Sequence, residues 1–168
     1  MSNDTMNGLF GITEGMSGAE VLSTGRQQLF KSGEGWLAAA QRMKGDTDEK
    51  LSMRFQLAMT ALVSLSCCIP HSPALKWSAK WKAQGLGYKA GDLVGMLCEQ
   101  LKLRSPYVAA LAQLDNTSDE NFGRYDVVSA FRLADLERLI AWIETVRDAV
   151  EAWLQQNDPA ALVPVQEP

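Results

Sequence analysis

The stretch from Asp46 to Ile69, DTDEKLSMRFQLAMTALVSLSCCI, constrains this chain more than any other. Apolar residues fall at Leu51, Phe55, Ala58, Leu62, Leu65 and Ile69, in alternating steps of four and three. That spacing is the stripe of an amphipathic helix. Met59, Ala61, Val63 and Cys67 widen the stripe until little polar surface remains after residue 56. A helix that is apolar almost all round needs partners on several sides. The expectation is therefore an all-α protein, an up-and-down bundle of four to five helices packed about this segment.

The flanking segments carry the same period. Glu20 to Lys44 places Leu22, Leu29, Phe30, Trp36, Leu37, Ala40 and Met43 at helical spacing. Gly25, Gly33 and Gly35 interrupt it, each at a cost of about 1 kcal/mol relative to alanine. Either the helix bends there or a neighbouring backbone comes close. Gly45 reads as a C-cap. Asp46 with Glu49 resembles a capping box at the start of the central helix, and Pro70 ends that helix. Ser72-Pro73 opens a helix running to about Gln84, Tyr88 to Leu103 forms the next, and Ser105-Pro106 begins a short one reaching Leu114. Residues 115–127 read as a loop. The last helix runs from Phe131 to Gln156, with Leu133, Leu136, Leu139, Ile140, Ile143, Val146, Val150, Trp153 and Leu154 as its apolar series. Asp135–Arg138, Glu144–Arg147 and Arg147–Glu151 are spaced to pair on its outer face. Residues 1–17 are expected to form a flexible arm, 18–157 a single bundle domain, and 158–168 a disordered tail.

Composition narrows the setting. No apolar run approaches the roughly 20 residues of a membrane span, and the first residues lack the basic and apolar regions of a secretory signal. Three cysteines, two of them adjacent, do not make a disulfide framework, so a cytoplasmic location is expected. The charge is uneven: residues 70–104 hold 6 basic and 2 acidic groups, and residues 105–168 hold 4 basic and 11 acidic. The plain reading of that asymmetry is two oppositely charged parts facing each other in the fold.

Enzymatic constellations are scarce. His71 is the single histidine and sits between Pro70 and Ser72, where it reads as an exposed turn residue. Cys67 and Cys68 lie in the most apolar stretch and read as small hydrophobes rather than nucleophiles. No Walker loop, dinucleotide fingerprint or zinc motif occurs, so no cofactor or metal is expected. Two weaker features remain. Lys76, Trp77, Lys80, Trp81 and Lys82 combine ammonium groups with indoles on one helix, a chemistry that suits nucleic acid. The overall acidity argues against that use, and tryptophans four apart more often serve a core. The second feature is the loop Arg124, Tyr125 and Asp126, with Arg132 on the helix after it. A guanidinium there can grip a phosphate or carboxylate, or it can simply pair with a nearby acid.

The order of these elements resembles the HEPN superfamily, small helical domains found with nucleotidyltransferases and in toxin–antitoxin and defence loci. The segment Met53 to Cys68 looks like one of the family's helices. Lys89-Ala90-Gly91-Asp92-Leu93 is similar to its His-Asp-Leu segment, and Arg124-Tyr125-Asp126 to its Arg-Tyr-Pro-Asp segment. The similarity covers roughly residues 20–156. Two positions depart from the pattern: Gly91 stands where the family has histidine, and no proline separates Tyr125 from Asp126. Active members are ribonucleases through an arginine followed four to six residues later by histidine. Here Leu65, Ser66 and Cys67 precede His71 at those distances, so the imidazole that would act as general acid or base is missing. The resemblance thus implies the HEPN fold without the nuclease: a non-catalytic module, expected to be a homodimer, that binds a protein partner such as a nucleotidyltransferase or antitoxin, or a nucleotide. The competing readings are an enzyme or effector of another type with a cleft near Arg124, and a nucleic-acid-binding protein using the face from Lys76 to Lys82.

Overall fold

The computed structural model describes residues 18–69, 90–104 and 133–163, with side chains described from 27, 93 and 133 onward in the three stretches. These residues form four α-helices, α1 (Gly18–Arg42), α2 (Asp48–Cys67), α3 (Ala90–Leu101) and α4 (Leu133–Asn157), followed by a 3-10 turn (Pro159–Leu162). No strand occurs among the described residues. No helix among them is long and apolar enough to cross a membrane.

α2 is the centre of the packing and touches both α1 and α4, with α3 against it as well. Phe55, Ala58, Met59, Leu62 and Leu65 are completely buried, as the apolar stripe predicts. A fully buried leucine or phenylalanine is worth about 1.5–3 kcal/mol over its exposed form, so this one helix anchors the core. Gly33 faces Leu65, and the carbonyl of Ala40 meets the side chain of Arg54, so α1 and α2 run antiparallel. Glu34 pairs with Arg147, and Gln27 donates to the carbonyl of Ala160, so α4 also runs against α1. The α4 face is a continuous strip through Leu136, Leu139, Ile143, Val146, Val150 and Leu154, all buried.

α1 is one helix across its glycines. At Gly33 the close approach is real: an added Cβ would sit 2.8 Å from Cγ and Cδ2 of Leu65. Trp36 departs from the inward position its spacing suggests and is 44% exposed. Phe30, Gly33, Leu37 and Ala40 define the face turned to α2, and Trp36 falls to one side of it.

Four boundary features differ from the sequence reading. The N-cap of α2 is Thr47, whose Oγ1 accepts a bond from the backbone N of Lys50, so Asp46 and Glu49 do not form the capping box. α1 ends at Arg42, which leaves Gly45 in the connection rather than at the cap, although its φ of +120° does require glycine there. α2 gives way to a turn at Cys68 and Ile69, one step before Pro70. Finally, the chain does not loosen at Asp158. The 3-10 turn packs on α1 and α4, with Asp158 and Ala161 buried. A proline at the turn's first position and a bond from the backbone N of Asp158 to the carbonyl of Leu154 fold the chain back.

α3 ends in a Schellman arrangement. The backbone N of Leu103 donates to Cys98 and that of Lys102 to Glu99, with Lys102 at φ 54° in the position that glycine usually takes. Trp142 on α4 then fixes the departing chain, its indole Nε1 donating to the carbonyl of Arg104 at 3.1 Å.

Candidate functional site

Two hollows open on the described surface. The larger, about 420 Å³, lies along the outer face of α2 and is walled by Asp48, Glu49, Ser52, Met53 and Gln56. All five side chains come from one helix, so nothing converges across it. The smaller, about 340 Å³, is more enclosed and is built by three elements. α1 supplies Gln27, Gln28, Phe30, Lys31 and Glu34, α4 supplies Glu151, and the 3-10 turn and its exit supply Ala161, Leu162 and Val163. An apolar lining with a few polar groups at its edge is the usual make-up of a binding site.

Local sequence explains each wall. The helical period turns Phe30 and Glu34 to the same side of α1, one turn apart. Asp158 and Pro159 reverse the chain after α4 and lay Ala161 to Val163 beside that face. Gln27 locks the arrangement by donating to the carbonyl of Ala160.

The edge of the groove is ionic. Arg147 Nε and Nη2 both donate to Oε2 of Glu34, at 3.0 and 2.7 Å. Nη1 donates to Oδ1 of Asp148 at 2.7 Å, and Glu151 Oε2 stands 3.6 Å from Nη2. One guanidinium thus serves three carboxylates, and its hydrogen bonds to Glu34 raise its pKa above the ordinary arginine value. The spacing on α4 pointed to Glu144 as a partner of Arg147; the structure gives that role to Glu34 instead. Arg138–Asp135 and Arg147–Glu151 do approach, each at 3.6 Å.

A second arginine is internal. Arg54 is 2% exposed, its Nε donates to the carbonyl of Ala40 at 3.3 Å, and its Nη2 lies 2.6 Å from Oε1 of Glu137. The contact with Glu137 is an ion pair rather than an aligned hydrogen bond. It joins α1, α2 and α4 inside the core.

Cys67, Cys68 and Cys98 stand outside any disulfide. Burial pushes the Cys67 thiol up to about 11, which keeps it protonated and a poor nucleophile at neutral pH. Among the described residues no group of histidine, cysteine, aspartate and glutamate side chains is arranged to hold a metal ion.

The site residues expected from sequence are not among the described residues. Arg124, Tyr125, Asp126 and Arg132 fall outside the described residues, as do Lys76, Trp77, Lys80, Trp81, Lys82 and His71. The structure brings together a different set, Phe30, Glu34, Arg147, Glu151 and Val163. No short-range signal marks that set, because Glu34 and Arg147 are 113 positions apart. No family model, curated protein or solved structure matches the chain.

Proposed function

We propose that this chain is a non-catalytic helical module of HEPN-like, up-and-down architecture that binds a protein partner through the groove between α1, α4 and the 3-10 turn. The observation that carries the reading is the make-up of that groove. Its apolar part is Phe30, Ala161, Leu162 and Val163, the last 55% exposed, and Gln27, Gln28, Lys31, Glu34 and Glu151 line the rest. The polar edge is held in place by the ion pair between Glu34 of α1 and Arg147 of α4. An apolar centre inside a polar rim is the anatomy of a protein contact. The antiparallel pair α1–α2 supports the up-and-down part of the proposal, and the missing arginine–histidine pair supports its non-catalytic part.

The nucleotide alternative draws less from these residues. Glu34, Asp148 and Glu151 surround the groove's guanidinium and oppose an incoming phosphate. That reading rests instead on Arg124 and its neighbours.

The test is affinity purification from the source cells with the wild type and with Val163→Glu, each analysed by mass spectrometry and light scattering. The proposal expects a stoichiometric polypeptide, either another protein or a second copy of the chain, that the substitution removes. Nucleotides should leave the melting temperature unchanged, and RNA should remain intact. A nucleotide-dependent rise in melting temperature, or RNA cleavage, overturns the proposal.

A further inference from the structure

We infer that the groove takes a polypeptide segment that sets an apolar side chain beside a lysine or arginine. The inference rests on the groove being the binding face, and it names the chemistry of what binds there.

The charge around the groove is unbalanced. Glu34 and Glu151 line it and share Arg147 with Asp148 beside the groove, and Lys31 is the one cation among the described lining residues. The carboxylates also have acceptor capacity left over. Both bonds from Arg147 to Glu34 end on the same oxygen, Oε2, which leaves Oε1 without a partner among the described residues. Glu151 stands 3.6 Å from the guanidinium, beyond a good hydrogen bond, so its oxygens remain open to a stronger donor. Both side chains are about a third exposed, at 39% and 34%, and both line the groove. A cationic side chain arriving there meets Glu151 beside a Glu34 carboxylate already held by Arg147, and so loses little entropy in ordering the latter.

The apolar lining supplies the other half of the requirement. Phe30 and Ala161 form its buried part, and Leu162 and Val163 its more open part. A free cation without an apolar group would leave that surface wet. A phosphate or acidic peptide would meet the carboxylates. A segment of another polypeptide with adjacent apolar and basic side chains satisfies both halves.

The probe is a phage library of random heptapeptides selected against the full-length wild-type protein. Enriched peptides are synthesised with a fluorescent label and titrated by anisotropy. The expected motif pairs leucine, isoleucine, valine or phenylalanine with lysine or arginine. Glu34→Gln and Glu151→Gln should each weaken binding by about threefold to fivefold, the strength of an exposed ion pair, and added salt should weaken it further. Val163→Glu should abolish the apolar contact. Glu151→Gln is the cleaner variant, because Glu34 also ties α1 to α4. Enriched peptides that carry acidic or only apolar residues, yet are lost with Val163→Glu, overturn the inference and leave the groove as the binding face. Peptides indifferent to Val163→Glu, or no enrichment, overturn both.

Discussion

A guanidinium inside a helical core needs a counter-charge and an acceptor, and Arg54 has one of each in Glu137 and the carbonyl of Ala40. Removing the acid strands a buried positive charge. For a fully buried pair that costs about 3–5 kcal/mol. Glu137 is half-exposed, and water screens part of the loss, so Glu137→Ala should cost about 1–3 kcal/mol. In an Arg54→Met background the same change should cost almost nothing. Chemical denaturation of the four proteins in this double-mutant cycle measures the coupling directly. At Cys67 the folded thiol titrates near 11 against an ordinary value of 9.0. The fold therefore favours the neutral form. Its contribution is fully present below the unfolded value and is lost as pH rises through 9 to 11. Stability should fall more steeply over that range for the wild type than for Cys67→Ala, which denaturation curves at stepped pH will show.

Two glycines in one helix separate two physical roles. Gly33 faces Leu65 of α2, and a methyl group there would displace a buried side chain. Gly35 has no atom within 4 Å of where a Cβ would stand. Both substitutions gain about 1 kcal/mol of helix propensity. Gly35→Ala should keep that gain and raise the melting temperature. In Gly33→Ala, overpacking of about 1–3 kcal/mol opposes the gain, and the net effect should be destabilising. Thermal melts of the pair decide it; equal stabilisation by both would mean that α1 and α2 do not meet at Leu65.

At the scale of the molecule, α1, α2, α3 and α4 share one core that includes Ala161 of the 3-10 turn. The turn is thus part of the folded unit and one wall of the groove. A chain ending at Asn157 loses the burial of Ala161 and Leu162 and the bond from Gln27 to Ala160. It should be less stable than a chain ending at Val163 by about 1–3 kcal/mol. Urea denaturation of the two chains tests this, and identical midpoints would show that the turn contributes nothing to the core.

The sequence by itself determined the four described helices and the central place of α2, because amphipathic periodicity is a local property and the stripe from Phe55 to Ile69 has no other way to be buried. Its glycines pointed to a bend or a close neighbour, and at Gly33 that neighbour is Leu65 of α2. Which faces meet could not be read in the same way. Nothing in the local sequence sets Arg54 apart from the other polar residues of α2, and only the approach of α4 makes it an interior charge with Glu137 as its partner. Arg147 had two acids at helical spacing on its own helix, yet its best-aligned acceptor lies on α1. The segment 158–163 has no period at all, and it is ordered by what it rests on rather than by what it contains. Periodicity fixes which residues share a face; the pairing of faces, and with it the groove, comes from shape and charge matched between residues far apart in the chain.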